Sequence, residues 1–585
     1  MSSIQRYKVL AAPQLLVVQL LLLLLLLCSY SAAANTIDAC TNNSANASTI
    51  VLASNSAYIL SNCSVAAMRM TSNAFSLDNV TIRVEGGSIL PIVVLDVPTN
   101  AHVSNFTLRI SGVRSNTTTP PLPFFKTSGA GQLLDACVSI MASNIAVQDP
   151  ATTSADGDVH RAKLHHSEHF HQHRSSITIY QRVPYLSSRI VSIEPAASSF
   201  LSSLVDNLTF TMTRSTCNII GFAINAFVFL LFANAPTATS SWTFSNSIVL
   251  IDASSVWIET QQFNAGCAVI SYSSYASVRS ALQGKVQSVV SNSVFYLTAS
   301  TGSVLVSVDK IISVSGLDVD VRNTTVEGKI LSTDDDAAST AAVVSVIAQR
   351  SLEFATIRLH TVTATFVVQC GEPPQLSIRL HTVTATFVVQ CGEPPQLTSS
   401  YELAVLVATT AVTISNTLVS VELSSMFAQR SSTPPKHSAS SSTSPPLLYL
   451  FQFSDSHIVS LRKAANASNV SVVLRDVNMF ASLNLTMVPI ASAFVRLVVV
   501  DASLVLNAIT FLENSTFIIS RSTLVAKVAV TTPSPGSAIT NILGVSCIAL
   551  IALGDPATIG SARLAAEMPQ FVDAFPSSYT ATPAT

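Results

Sequence analysis

Short stretches in which apolar and polar residues alternate recur along most of this chain. In "NVTIRVE", Val80, Ile82 and Val84 share one parity, and the residues between them are polar. Strict alternation is typical of a strand that is buried on one face only. Copies of this template begin at Asn79, Asn105, Asn207, Asn469 and, in part, Asn484. The pattern predicts an all-β protein.

The connections between these strands favour a parallel β-helix over a sandwich or a closed barrel. Antiparallel hairpins favour Asn-Gly and Asp-Gly turns, but the chain has no Asn-Gly pair and a single Asp-Gly pair, Asp156-Gly157. Similar strands that recur along a chain suit a right-handed parallel β-helix, whose coils stack about 4.8 Å apart. We therefore expect a right-handed β-solenoid with irregular loops.

A verbatim tandem duplication interrupts the chain at residues 357–397. The run "IRLHTVTATFVVQCGEPPQL" begins at Ile357 and again at Ile378. Because each coil of a solenoid touches only its neighbours, such a fold accepts a further coil easily. The duplication then predicts one added coil, and the alternative is a replication slip or assembly error without structural meaning.

The N-terminus has the pattern of a secretory signal peptide. Arg6 and Lys8 precede an apolar run from Leu15 to Cys28, and the small residues Ala32–Ala34 follow. A basic start, a short apolar core and a small-residue site are the parts of such a signal. The alternative is an uncleaved anchor helix, although the run is shorter than the roughly 20 residues that a span needs.

Composition shifts divide the chain into a body and a smaller C-terminal part. Two apolar runs, residues 219–235 and 538–553, are interpreted as buried strands, and a membrane span is the alternative for each. The predicted divisions are a signal peptide at 1–34, a β-helix body at 35–429 with a His-rich loop at 156–175, a Ser/Pro-rich linker or loop at 430–448, C-terminal coils at 449–530, and an apolar segment with a tail at 531–585.

Export makes N-glycosylation an expectation. An Asn/Ser/Thr-rich chain forms some sequons by chance, but behind a signal peptide several should carry glycans. The candidate sites are Asn42, Asn46, Asn62, Asn79, Asn105, Asn116, Asn207, Asn323, Asn466, Asn469, Asn484 and Asn514.

The mature chain keeps eight cysteines, too few for a disulfide scaffold. Cys40 with Cys63 is one candidate disulfide, which would close an N-terminal loop. Cys370 with Cys391 is the other, since in-register copies would place these residues one coil apart.

Charge and motifs point away from nucleic acid and from catalysis. Charged residues are 11% of the chain and the net charge is −2, so no nucleic-acid partner is expected. The pair Asp318 and Asp320 lies beside Arg322, which an ion pair explains, and Asp334–Asp336 suit a solvated loop. The His-rich run lacks a complete ligand set. We expect no catalytic residue, no metal site and no cofactor.

The signal peptide, the recurring "NVT" strands and the many sequons resemble the dispersed gene family, large surface glycoproteins of kinetoplastid protists. Members of that family carry clear C-terminal membrane spans, which this chain lacks. The resemblance implies a cell-surface role, with extracellular matrix, a glycan or a cell-surface ligand as partner. It carries over no binding residue.

Three functions are therefore open at this point. The first is a secreted or cell-surface glycoprotein with a structural, adhesive or coat role. The second is an integral membrane protein anchored by residues 538–553 or by an uncleaved N-terminal helix. The third is a carbohydrate-active β-helix enzyme, which would need acidic residues on adjacent coils.

Overall fold

The computed structural model describes most of the chain between Asn35 and Ala574. The described residues are 35–38, 49–61, 68–85, 93–112, 114–117, 125–141, 143–147, 188–193, 203–221, 225–233, 241–260, 266–274, 279–299, 302–332, 339–370, 390–391, 399–432, 449–486, 494–507, 509–531, 541–553, 558–559, 562–567 and 570–574.

Within these ranges the protein is all-β, with 43 strands and no helix. The first half of the chain contributes β1 (Asn35–Asp38), β2 (Thr49–Val51), β3 (Ser56–Ser61), β4 (Met68–Thr71), β5 (Ser76–Glu85), β6 (Val93–Ser111), β7 (Arg114–Thr117), β8 (Phe125–Leu134), β9 (Cys137–Met141), β10 (Asn144–Val147), β11 (Ser188–Ile193), β12 (Ser203–Asp206), β13 (Thr209–Thr213), β14 (Thr216–Gly221), β15 (Asn225–Ala233), β16 (Ser241–Ser245), β17 (Ile248–Asp252), β18 (Ser255–Thr260), β19 (Gly266–Ser274), β20 (Arg279–Gln283), β21 (Val286–Ser291) and β22 (Val294–Ala299). The second half contributes β23 (Gly302–Ser315), β24 (Leu317–Ser332), β25 (Ser339–Glu353), β26 (Thr356–Cys370), β27 (Gln390–Cys391), β28 (Ser399–Thr410), β29 (Thr413–Ser415), β30 (Leu418–Glu422), β31 (Ser425–Ser432), β32 (Tyr449–Arg462), β33 (Asn466–Ser468), β34 (Ser471–Arg475), β35 (Asn478–Thr486), β36 (Phe494–Asn507), β37 (Phe511–Glu513), β38 (Ser515–Ser520), β39 (Thr523–Thr531), β40 (Asn541–Leu553), β41 (Thr558–Ile559), β42 (Ala562–Glu567) and β43 (Gln570–Ala574).

The strands follow one another in repeats of four segments, which we number 1 to 4 in chain order. In the repeat formed by β15, β16, β17 and β18, each strand pairs in parallel with its counterpart in the next repeat, β19, β20, β21 or β22. Such pairing at a fixed sequence offset is consistent with a β-helix or solenoid-like fold. The expectation of an all-β, parallel architecture is confirmed.

Alternation of burial along each segment places the apolar residues in one continuous core. In β22, Phe295 and Leu297 are buried, while Val294, Tyr296 and Thr298 between them are half-buried. Most of the buried apolar side chains from Leu52 to Leu524 belong to one cluster, and Ala342 and Val405 form a small separate one. Each repeat thus adds its inward Val, Ile, Leu and Phe side chains to those of its neighbours, which is how stacked repeats bury a core that none could bury alone.

A row of residues in the left-handed backbone region marks the corner between segments 2 and 3. A side chain in this region costs least for Gly and Asn. The row runs through twelve successive repeats as Asn55, Asn79, Asn105, Asp135, Asn207, Asn246, Gly284, Gly316, Phe354, Asn416, Asn469 and Asn514. The asparagine that opens the "NVT" template is therefore the corner residue, and the alternating strand follows it.

Asparagine also links neighbouring repeats at this corner. The Asn79 Nδ2 donates to Asn55 Oδ1 at 3.1 Å, and the Asn469 Nδ2 donates to Asn416 Oδ1 at 3.2 Å. The backbone N–H of Asn207 donates to the carbonyl of Ser245 at 3.1 Å. The polar groups of the corner residues thus find hydrogen-bond partners in the neighbouring repeats.

Serines line the second corner, between segments 3 and 4. The buried Ser254 Oγ donates to the carbonyl of Asp252 at 2.8 Å and accepts from the N–H of Ser215 at 3.2 Å. The N–H of Ser254 donates to Ser293 Oγ in the next repeat at 3.1 Å. The short hydroxyl side chains of successive repeats thus satisfy buried backbone groups of their own repeat and of the preceding one.

Repeat length varies, and the longest insertions fall at one junction. Corner residues are 24 positions apart at Asn55 and Asn79, and serines are 39 apart at Ser254 and Ser293. The largest separations are 72, 62 and 53 positions, and those repeats contain the His-rich segment, the duplication and the Ser/Pro-rich segment. The His-rich segment, the second copy of the duplication and the Ser/Pro-rich segment each lie between a segment 4 strand and the next segment 1 strand. We call this junction the insertion edge.

The duplication lengthens one repeat and does not add a coil. The first copy forms β26, which pairs directly with β30 and β31 of the following repeat. Of the second copy, the structure describes only β27, whose Gln390 pairs with Gln369. The prediction of an added coil is wrong because β26 pairs directly with the strands from which a further coil would separate it.

Strand pairing continues through the predicted linker and into the C-terminal apolar segment. Strand β28 pairs with β32 on the far side of residues 433–448, and β36 pairs with β40, which contains most of the apolar run at 538–553. The run at 219–235 contains the end of β14 and all of β15. No helix in the described ranges is long and apolar enough to cross a membrane.

Candidate functional site

The outer side of segment 4 brings aromatic and charged side chains together from distant parts of the sequence. Trp257 is in register with Tyr296, and Tyr296 is in register with Glu327. Their chain neighbours Ile258 and Val326 are fully buried. Since side chains alternate along a strand, Trp257, Tyr296 and Glu327 project from the outer face.

This row continues over three further repeats. Glu327 is in register with Thr365, Thr365 with Phe427, and Phe427 with Phe480. The Phe427 and Phe480 rings are stacked with centroids 4.7 Å apart, and the Trp257 and Tyr296 rings are tilted with centroids 5.4 Å apart. We call the six residues Trp257, Tyr296, Glu327, Thr365, Phe427 and Phe480 the aromatic strip.

A second row of polar residues lies beside the aromatic strip, two positions further along each strand. It contains Glu259, Thr298 and Lys329, which are in register with one another. Glu259 follows Trp257 by two positions on the same strand, Glu327 is in register with Tyr296, and Lys329 follows Glu327 by two positions. Flat aromatic surface with a few charged hydrogen-bonding groups is the usual makeup of a binding surface.

Partial removal of water shifts the ionisation of this group of side chains. Burial raises the pKa of the Glu327 carboxyl and lowers the pKa of the Lys329 ammonium, and the nearby Glu259 opposes the latter shift. Burial, reinforced by the charge of Glu327, raises the pKa of the Tyr296 hydroxyl. Clustered pKa shifts of this kind mark candidate functional surfaces.

The aromatic strip lies just before the insertion edge. Segment 4 is the last strand of each repeat, and the chain leaves it at residues 261–265, 300–301 and 333–338 before segment 1 of the next repeat begins. The longer inserted segments leave from the same side of the stack. The aromatic strip and its polar row thus border the insertion edge, where the longest insertions occur.

The predicted acidic pair on segment 3 is engaged in ion pairs. Asp320 forms the predicted ion pair with Arg322, through two hydrogen bonds. Asp318 pairs instead with Arg358 of the next repeat at 3.0 Å and accepts from Gln287 at 3.1 Å. Both carboxylates are neutralised by neighbours, which supports a structural role. Asp334–Asp336 and the His-rich loop at 156–175 lie outside the described residues.

Several predicted glycosylation sites lie at the corners of the repeats. Positive φ angles occur at six of these asparagines. Five of them are exposed, namely Asn105, Asn207, Asn323, Asn469 and Asn514, and the sixth, Asn79, is half-buried. Asn466 is exposed on β33, and Asn116 and Asn484 lie on strands. Asn42, Asn46 and Asn62 lie outside the described residues. The corner supplies the Asn and the following strand supplies the outward Ser or Thr, so the fold alone generates many sequons, and their modification stays a prediction.

The candidate disulfides are not decided by the described side chains. Residues 369 and 390, which precede Cys370 and Cys391, are paired in parallel. The side chains of Cys370 and Cys391, and all of Cys40 and Cys63, lie outside the description. Cys267 is fully buried, and burial raises its thiol pKa to about 12, so this thiol is chemically inert.

Metal ligands do not cluster in the described part of the chain, where no group of three His, Cys, Asp or Glu side chains could hold an ion.

Comparison with known proteins yields no match to a family model, a curated protein or a solved structure.

No sequence pattern indicates that the residues of the aromatic strip are neighbours. Its members are separated by 39 residues from Trp257 to Tyr296 and by 31 from Tyr296 to Glu327, as are corner residues in the same repeats. Because these offsets differ, the rows appear only when the register of each strand pair is known. The outward parity of Trp257 and Tyr296 was readable from their strands, but their adjacency was not.

Proposed function

We propose that this protein is a secreted or cell-surface glycoprotein whose strands wind into a right-handed parallel β-helix. Its role is structural or adhesive, as a rod that presents its outer faces and its insertion edge to a partner. It performs no catalysis. The resemblance to the kinetoplastid surface glycoproteins agrees with this proposal.

One observation carries the proposal: segment 3 pairs in parallel, repeat after repeat, from β1 to β42. The chain of pairings passes through β3, β5, β6, β9, β13, β17, β21, β24, β26, β30, β34 and β38. A stack of this length forms a long surface, and nearest-neighbour contacts keep it in register. Such a surface suits multivalent contact with an extended partner.

The acidic residues support a binding role over catalysis. Hydrolysis of a glycosidic bond needs two free carboxyl groups that face each other across the bond. Asp318 and Asp320 each pair with an arginine. Glu259 and Glu327 lie two repeats apart, in different rows.

Expression of the full chain in a secreting eukaryotic cell tests the proposal. We expect the protein in the medium, with a mass that falls after enzymatic glycan removal, a β-rich circular dichroism spectrum and an elongated scattering envelope. Retention in carbonate-washed membranes, or a compact envelope, would contradict the proposal.

A further inference from the structure

We infer that the aromatic strip, with Glu259 and Lys329 beside it, is a binding site for a neutral, extended polysaccharide. This inference rests on the proposed adhesive function and names the partner of the same molecule. The polysaccharide lies along the stack, so that successive sugar rings meet successive repeats.

The spacing of the strip suits a chain of sugar rings. Neighbouring strands lie about 4.8 Å apart, which is close to the length of one pyranose unit. Trp257, Tyr296, Phe427 and Phe480 supply aromatic surface at four of the six positions of the strip. The C–H faces of a pyranose are apolar, so contact with the outward parts of these rings removes them from water. Phe480, one of the exposed large apolar side chains, is 37% exposed and open to such contact.

The polar row supplies groups that can bind hydroxyls. The carboxylates of Glu259 and Glu327 accept hydrogen bonds from sugar hydroxyls, and the ammonium of Lys329 donates them. Hydrogen bonds to charged groups are stronger than those between neutral groups, and partial exclusion of water strengthens them further.

Charge favours a neutral polysaccharide over an acidic one. In the two rows together, two carboxylates outnumber the single ammonium. A sulfated or uronic acid polymer would meet like charge, which disfavours binding. A second copy of this chain is also less suited, since a stable protein interface buries about 800 Å² on each partner, and the strip is one side chain wide.

The two tryptophans of the chain make the test specific. Trp242 is 2% exposed and stacks on Phe244 in the core, whereas Trp257 is half-buried on the strip. The secreted, purified protein is titrated with β-1,4-linked cellohexaose and mannohexaose, and with heparin as the acidic comparison. Tryptophan fluorescence and calorimetry are recorded.

We expect saturable binding of a neutral hexasaccharide and a change in fluorescence. Trp257→Phe should remove the fluorescence change, and Trp242→Phe should keep it. Trp257→Ala and Tyr296→Ala should each weaken binding at least tenfold. Val289→Ala is the matched control, because Val289 is half-buried on the outer side of segment 3 in the same repeat as Tyr296, and its affinity should equal that of the wild type.

Three results would overturn the inference: no binding of either neutral hexasaccharide, tighter binding of heparin, or wild-type affinity in both Trp257→Ala and Tyr296→Ala. A dimer that Tyr296→Ala dissociates would assign the strip to a second copy. Each of these can occur in a secreted, elongated protein, so the proposed function would survive. Failure of secretion or a compact envelope tests the proposed function separately.

Discussion

Backbone conformation at single corner residues determines where each repeat turns. The corner between segments 2 and 3 needs a positive φ, and the chain meets this need with Asn in most repeats and with Gly284 and Gly316 in two of them. The cost of this conformation is lowest for Gly and modest for Asn. The abundance of Asn, which at first indicates glycosylation, therefore also has a conformational cause.

Gly316 should be among the least replaceable of these residues. It has a φ of +78°, and a Cβ at this position would overlap the carbonyl oxygen of Gly284 and lie 2.8 Å from its carbonyl carbon. Gly112 has a φ of +63° with nothing within 4 Å of its Cβ position. Gly112→Ala should cost about 1–2 kcal/mol from backbone strain alone. Gly316→Ala should cost clearly more, because two stacked backbones must separate.

Urea unfolding of both variants, followed by circular dichroism, measures this difference. Equal losses of unfolding free energy in Gly112→Ala and Gly316→Ala would show that the repeats are not held as closely as this contact requires.

Glu327 should make stability depend on pH in a defined direction. Burial raises its pKa in the folded protein above the ordinary value of 4.5. The carboxylate is therefore less favourable in the folded state than in the unfolded state when pH exceeds the folded pKa. Glu327→Gln should raise the urea midpoint at pH 7, and this advantage should shrink as pH falls through the folded pKa towards 4.5.

The control for this prediction is Glu85→Gln, which removes a carboxylate at the end of β5, outside the aromatic strip. An advantage of Glu327→Gln that stays constant between pH 7 and pH 4 would assign the effect to packing.

Strands, as elements, were predictable because their burial alternates. The parity of Val80, Ile82 and Val84 is reproduced in the structure, where all three side chains are buried. The pairing of strands was less accessible, since each partner lies a variable distance along the chain. Parallel backbone pairing joins the strands, and hydrogen bonds at the corners add to it. The corner donors and acceptors are common residues without a distinctive sequence pattern.

Ser254, the corner serine just before β18, should contribute measurably to the contact between neighbouring repeats. Ser254→Ala removes the acceptor of the Ser215 N–H and leaves that buried donor unsatisfied. An unsatisfied buried group costs about 1–3 kcal/mol. Ser255→Ala is the matched control, because Ser255 is the next residue and only half-buried.

Hydrogen exchange detected by mass spectrometry complements the unfolding free energy. Ser254→Ala should speed exchange in peptides that cover residues 209–221 and 286–299, on both sides of the substitution. Faster exchange confined to residues 248–260 would show that the serine acts only within its own repeat.

At the scale of the whole molecule, the sequence correctly indicated repeats of parallel strands. The prediction of how the array of repeats becomes longer was wrong. The duplication suggested growth by whole coils, whereas the register shows a repeat that is lengthened at the insertion edge. The Ser/Pro-rich segment suggested a division between two parts, but strand pairing runs past it, as it runs past the predicted His-rich loop. Composition identifies such segments, but only the register shows that they share one junction.

Deletion of residues 378–398 should therefore leave the protein folded. The first copy supplies the paired strand β26, and closing a shorter loop between β26 and β28 changes the loop entropy only slightly. We expect unchanged secretion and an unchanged thermal midpoint. A deletion of equal length at residues 255–275 removes β18 and β19 and should abolish secretion. Loss of secretion in the first variant would show that the second copy is needed for folding.

The long insertions all lie at the insertion edge. The paired strands, which form the framework of the molecule, are therefore separate from its variable parts. A replication slip that falls at this junction only enlarges a loop, whereas the same slip inside a strand reverses inward and outward side chains. The molecule can therefore change one side of its surface by drift while its ladder of hydrogen bonds stays intact. A duplicated tract of 20 identical residues that has not yet diverged is what such tolerance leaves behind.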